Sequence, residues 1–247
     1  MRRRFFVERF EGGRAVLLGD AAHHAARVLR VAPGQIYELS DGSALWLARV
    51  EAAGGKAVEF SLLEQLPAAL PELQTALLLS IVKFDRFEWA LEKATELGVA
   101  EIAPLAAARS EKALVSAAVK RAARWQKILV EAAQQARRLS PPVLAPLETS
   151  KAAFLQAFRA SPPESAPGRL LFLSESKDAP SLRSVLVRPA PGSHVAVAIG
   201  PEGGWTGEER EAALRANWSE VSLGANILRT ETAVASALAV LNYALGD

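Results

Sequence analysis

The 247-residue sequence contains no cysteine. That excludes disulfides, thiolate metal ligands and thiol nucleophiles together, and it fits a reducing compartment. Only three histidines are present, too few to favour a transition-metal site, so no metal is expected. No window approaches the roughly 20 apolar residues of a membrane span. The opening MRRRFFVERF runs three arginines into a short apolar stretch that Glu8 and Arg9 end, so no secretory leader is expected. A cytoplasmic protein with no membrane partner is the resulting expectation. No G-x-S-x-G elbow marks a serine hydrolase. No Gly-Lys-Ser/Thr closes a phosphate loop, and no G-x-G-x-x-G marks a dinucleotide site.

Apolar residues make up 50% of the chain, ample for one large domain or two small ones. The net charge is only +2 but unevenly spread. In residues 1–30 seven arginines (Arg2, Arg3, Arg4, Arg9, Arg14, Arg27, Arg30) face Glu8, Glu11 and Asp20. In 109–138, Arg109, Lys112, Lys120, Arg121, Arg124, Lys127, Arg137 and Arg138 face Glu111 and Glu131. From Gly200 onward the chain is acidic. Each basic zone is either a solvated face or a surface for a polyanion. The excess of arginine over lysine favours phosphate, because the guanidinium fork matches it.

Two regions differ in pattern. In 1–63, FFV (5–7), IYEL (36–39), LWLARV (45–50) and VEFSLL (58–63) read as short strands, with Asp41-Gly42 as a hairpin turn. One helix capped by Asp20 and stopped by Pro33-Gly34 interrupts them. Residues 64–72 read as a linker, giving domains 1–70 and 71–247. From Leu73, strands alternate with helices. TALLLSIV (75–82), VAEIAPL (99–105), RLLFL (169–173), VAVAI (195–199) and VSL (221–223) are the strands of a mainly parallel α/β sheet. Asp85 and Glu88 have capping-box spacing ahead of a helix that Gly98 stops. A long helix covers about 112–138, and a last one runs from about Thr232 to Leu245. SPPESAPG (161–168) is a proline-rich loop.

Two loops carry the chemistry. VAVAIGPEGGWTGEERE passes from a buried strand through Gly200, Gly203 and Gly204 into a helix that Thr206 and Glu209 begin with a second capping box. Such a loop at a strand's carboxyl end belongs to a ligand crevice, and glycine lets the ligand approach the backbone. Glu202, Glu208 and Glu209 would repel phosphate, so a neutral or cationic ligand fits better. S-adenosylmethionine, with its sulfonium and ammonium, meets that description. The competing reading is a bare connecting turn. VSLGANILRTETAVASALAVLNY repeats strand, glycine loop, helix, with Asn226, Arg229, Thr230, Glu231 and Thr232 crowding the helix start. Thr230 alone would satisfy the free N–H groups there, leaving Arg229 and Glu231 as a plain ion pair.

IGPEGGWTGEE and LGANILRTETA resemble the two signature loops of the SPOUT methyltransferases, in particular the RsmE family, which methylates N3 of a uridine in 16S ribosomal RNA. FFVERF, HHAARVLRVAPG (23–34), KFDRFEWALEKATELGVAEIAPL (83–105), RSEK (109–112) and EAAQQARRLSPPV (131–143) are similar to that family's pattern too, so the resemblance spans nearly the whole chain. It implies an α/β fold: a C-terminal SPOUT-type parallel sheet with a trefoil knot, plus a small N-terminal PUA-like RNA-binding β barrel. It implies S-adenosylmethionine as cofactor, 16S ribosomal RNA or the assembled 30S subunit as partner, and a homodimer.

By the resemblance, Leu173, Ile199, Gly200, Gly203, Leu223, Gly224, Ile227, Leu228 and Thr232 line the cofactor pocket. Arg229, Glu231 and Glu202 lie near the transferring methyl. Arg229 is expected to stabilise the uracil oxygens as N3 loses its proton. Glu231 either takes that proton or holds Arg229. RNA contacts are expected from Arg2, Arg4, His24, Arg27 and Arg30, and from Lys83, Arg86, Arg109 and Arg138. The alternative is a non-catalytic dimeric RNA-binding protein.

Overall fold

The computed structural model describes residues 3–68, 71–156, 168–176, 178–186 and 194–246. Arg2 and residues 161–167 of the proline-rich loop lie outside them. Two compact units divide the chain: residues 1–70 with 133–141, and 71–132 with 142–247. Residues 133–141 thus belong with the first unit, although sequence position alone puts them with the second.

The first unit holds β1 (Arg4–Phe6), β2 (Arg14–Leu18), α1 (Gly19–His23), β3 (Ile36–Ser40), β4 (Leu45–Ala53) and β5 (Ala57–Leu66). The strands form one sheet in the order β1-β3-β4-β5-β2. Strand β1 is parallel to β3 and the other pairs are antiparallel. The edges β1 and β2 do not pair, so the expected barrel is half of one, a curled mixed sheet. Phe5, Leu39, Val50, Val58 and Phe60 fill its buried side. Strand β5 runs on to Leu66, into the expected linker. The helix continues from α1 as a π-turn over His24–Val28. It ends before Pro33-Gly34, where Arg30 adopts a φ of 53°. In the β3–β4 turn, Asp41 accepts hydrogen bonds from the Ser43 and Ala44 amides at 2.9 and 2.8 Å.

The second unit contains β6 (Gln74–Ser80), α2 (Phe84–Glu96), β7 (Glu101–Ala106), α3 (Lys112–Ala118) and α4 (Ala122–Gln135) up to Ala132. There follow β8 (Val143–Leu144), β9 (Glu148–Thr149), α5 (Ser150–Phe154), β10 (Arg169–Leu173) and α6 (Leu182–Val185). The chain then forms β11 (His194–Ile199), α7 (Gly207–Arg215), β12 (Ser219–Val221) and α8 (Thr230–Leu245). The sheet runs β12-β10-β11-β6-β7-β8, with β9 also on β7, and every pair is parallel. Covering both faces demands the continuous apolar runs seen in the sequence. Leu77, Leu79, Val197 and Ile199 face a core with Phe87 and Leu91 of α2 and Val234 and Leu238 of α8. Their neighbours Ala76, Leu78, Ala196 and Ala198 face the opposite core, with Phe154, Phe172, Ala213 and Trp218.

The expected 112–138 helix is broken at Val119–Arg121, a 3₁₀ turn between α3 and α4. The Asp85–Glu88 capping box does not form: Lys83 caps α2 with no side-chain bond. Glu88 instead accepts from Arg121 at 2.9 Å and from Nε and Nη2 along one edge of the Arg124 guanidinium. Sequence spacing alone leaves out β2, although its five residues alternate exposed and buried, and also β8, β9, α5 and α6, which are too short to carry a period. Among the described residues, no helix is long and apolar enough to cross a membrane.

Candidate active site

Strands β10, β11 and β12 lie on one side of the sheet and end together. The loops that leave them enclose a cavity of about 440 Å³, within the usual size of small-molecule sites. Leu173 and Ser174–Ser176 contribute from β10, Ile199 and 200–207 from β11, and Ser222–Leu228 from β12. The cavity is a product of the parallel topology, because only parallel strands deliver three loops to one edge.

Eight of the nine cofactor residues expected from sequence lie on this wall: Leu173, Ile199, Gly200, Gly203, Leu223, Gly224, Ile227 and Leu228. Thr232 does not. Helix α8 starts two residues earlier than periodicity suggested, so Thr230 and Ala233 face the cavity and Thr232 points to solvent. Thr230 does not cap α8 either. Its hydroxyl donates to the Gly200 carbonyl at 3.1 Å and ties the helix start to the glycine loop.

The glycine loop is held from three sides. Trp205 stacks on Phe172 with ring centroids 4.8 Å apart, and its indole N–H donates to the Leu173 carbonyl at 2.8 Å. A Cβ on Gly200 would sit 3.0 Å from that indole. Arg109 donates to the Gly203 carbonyl at 2.8 Å, and a Cβ on Gly203 would approach the Arg109 Cβ to 3.2 Å. The third anchor is Glu209. The Thr206–Glu209 capping box forms as expected, and Glu209 also accepts from Ala108 N at 2.9 Å and Ser150 Oγ at 2.6 Å. Burial alone would raise the Glu209 carboxyl; the bonds from Ser150, Thr206 and Ala108 outweigh it and hold the group below the ordinary carboxylate range. Gly200→Ala is therefore expected to displace Trp205 and weaken adenosylmethionine binding about 10-fold. Titration calorimetry against a variant with an unchanged melting temperature checks this.

The charged candidates gather around Arg86. Its Nη1 donates to Glu202 Oε1 at 2.7 Å, and its Nε lies 3.8 Å from Glu231 Oε1. Glu202 lines the cavity. Glu231 Oε2 is buried with no hydrogen-bond partner. Glu231 thus pairs with Arg86, an interaction that local spacing did not suggest. Arg229 is the exposed N-cap of α8 and lies off the cavity wall.

The basic candidates divide. His24 is half-buried, and Arg27, Arg30 and Lys83 are exposed. Arg4 is 8% exposed and bound to Glu38 at 2.9 Å, with Arg137 on the other Glu38 oxygen. A buried, paired guanidinium does not present its charge to RNA, so the expectation for Arg4 is corrected. Burial pushes the Arg138 guanidinium down to about 10, which sets it apart from an open phosphate contact. In the basic stretch 109–138, Glu88 occupies Arg121 and Arg124, whereas Arg109 is exposed and gives one N–H to Gly203.

Comparison with known proteins agrees with this geometry. Residues 69–242 match the model of an RNA methyltransferase domain, and residues 17–63 that of an RNA methyltransferase PUA domain. The ribosomal RNA small subunit methyltransferase E of Synechocystis is 33% identical over 90% of this chain and 71% of its own length. That of Mycobacterium bovis is 33% identical over 92% of this chain and 85% of its own. The crystal structure of the enzyme of that name from Neisseria gonorrhoeae, bound to S-adenosyl methionine, is 31% identical. It superposes with a TM-score of 0.85, covering 100% of this chain and 99% of its own. A methyltransferase from Legionella pneumophila with bound cofactor gives 0.86 at 28% identity, covering 100% of this chain and 99% of its own. The chain belongs to the ribosomal RNA small subunit methyltransferase E family of RNA methyltransferases.

Proposed function

We propose that this chain methylates N3 of a uridine in the 16S ribosomal RNA of the small subunit, with S-adenosylmethionine as methyl donor. The cavity carries this reading. It is walled by three loops that include five glycines, has apolar sides from Leu173, Ile199, Leu223 and Leu228, and has the Arg86–Glu202–Glu231 cluster nearby. Two carboxylates against one guanidinium leave a net negative charge, which suits a sulfonium and an ammonium. The bare RNA-binding alternative predicts basic surfaces with no such cavity.

When bound, adenosylmethionine supplies an electrophilic methyl carbon. The eight wall residues named above hold it largely through main-chain groups, with Thr230 in the position expected of Thr232. Uracil N3 attacks only as it gives up its proton. Glu231 accepts that proton: one of its oxygens has no protein partner, and Arg86 fixes the other. Arg229, exposed at the start of α8, reaches the uracil oxygens from the RNA side, so Arg229→Ala at full methylation rate would remove it from this role.

The same reading includes a cytoplasmic location, a trefoil knot and a homodimer. Ser222 bonds to Pro180 O and Leu182 N, both at 2.8 Å, which supports threading of 223–229 beside the segment after β10. Trp89 of α2 and Val240 and Tyr243 of α8 are exposed apolar side chains suited to a second copy. Domain 1–70 presents His24, Arg27 and Arg30 to RNA, and domain 71–247 adds Lys83 and Arg109. RNA affinity is expected to fall steeply with salt, and a flat dependence would contradict phosphate contact. The functional test is mass spectrometry of ribosomal RNA from a deletion strain. One N3-methyluridine is expected to disappear from 16S RNA and to return on complementation.

A further inference from the structure

We propose that Glu220, held by Arg210, receives the ribose hydroxyls of the cofactor, and that the cavity thereby sets which way round the cofactor lies. This rests on the adenosylmethionine reading above. Glu220 sits one residue before the end of β12, and its side chain is only 10% exposed. Its Oε2 accepts from Arg210 Nε at 3.0 Å and Nη2 at 2.5 Å. Its Oε1 is buried with no hydrogen-bond partner. Both residues line the cavity.

A carboxylate oxygen removed from water and left unmatched is costly, so a donor is expected at Oε1. Charge selects the donor. Arg210 already neutralises Glu220, and a cation brought to Oε1 would also feel the guanidinium. A neutral donor fits better. The adjacent Ser222 hydroxyl is engaged by Gly224, donating to its carbonyl and accepting from its amide, both at 3.1 Å. Glu220 Oε1 is thus a buried acceptor on this wall with spare capacity, and a ribose offers two neighbouring hydroxyls to it. The Arg86–Glu202–Glu231 cluster instead carries net negative charge and suits the sulfonium and ammonium. The neutral pair takes the sugar, and the negative cluster takes the charged end.

Titration calorimetry with S-adenosylhomocysteine and its 2′,3′-dideoxy analogue tests this on the wild type and on Glu220→Gln. The wild type is expected to bind the analogue about 10-fold or more weakly. In Glu220→Gln that discrimination is expected to shrink to about 3-fold or less. Equal binding of both ligands by the wild type overturns the assignment without any variant needing to fold. Undiminished discrimination in a folded Glu220→Gln overturns it too, because another residue then holds the sugar. Failure of the wild type to bind S-adenosylhomocysteine at all sinks the cofactor reading itself, and the assignment with it.

Discussion

Arg86→Ala is expected to lower the methylation rate about 100-fold or more, with a much smaller change in the KM for adenosylmethionine. Arg86 is a positioning residue. It holds Glu202 at 2.7 Å and stands 3.8 Å from Glu231. Without it, two carboxylates face each other with no cation between them, and Glu231 loses the group that orients it. Arg86 touches the cavity wall through Glu202, and the glycine loop keeps its other anchors at Trp205, Arg109 and Glu209, so cofactor affinity changes less than the rate. Arg86→Lys restores the charge without the guanidinium fork and is expected to recover part of the rate. Steady-state kinetics on both variants check this. A loss confined to KM would make Arg86 a binding residue instead.

Glu209→Ala is expected to destabilise the protein by about 2–4 kcal/mol, read from the denaturation midpoint. The carboxylate is 1% exposed and joins four donors: the Ala108 and Thr206 amides and the Ser150 and Thr206 hydroxyls. Alanine strips a capping box from α7, costing about 1 kcal/mol. It also leaves the buried Ser150 hydroxyl unmatched, at about 1–3 kcal/mol, while the exposed Ala108 amide can turn to water. The pH dependence follows with its sign. The folded carboxyl is held below its ordinary value of 4.5. Its contribution is therefore complete above that value and drains away as pH falls through the lower folded one. Glu209→Ala is expected to flatten the acid limb of the stability curve relative to the wild type.

Glu209 also illustrates what local sequence conveys. Its capping box with Thr206 spans three residues and was legible. Its bonds to Ala108 and Ser150 cross 101 and 59 residues and were not. Asp85 and Glu88 have the same spacing, yet Arg121 and Arg124, more than 30 residues on, take Glu88 away. The buried strands were legible because burial on both faces forces unbroken apolar runs such as VAVAI. The glycine loops were legible as a crevice because of their position after those strands. The inference that all these acidic residues repel phosphate narrows: Glu208 is matched by Lys151 and Glu209 is buried, so only Glu202, which shares Arg86 with Glu231, leaves negative charge beside the cavity. The cofactor reading stands on that charge, on the cavity and on the family. Arg4 was misjudged for the same reason, since its partner Glu38 lies across a sheet rather than along the chain.

Methyl transfer to one uridine nitrogen is the reaction proposed for this cavity. The most direct measurement incubates the purified protein with methyl-labelled S-adenosylmethionine and 30S subunits from the deletion strain, then maps the label in 16S RNA by mass spectrometry. One labelled N3-methyluridine is the result expected. Absence of label, or label on any other atom, would contradict the account.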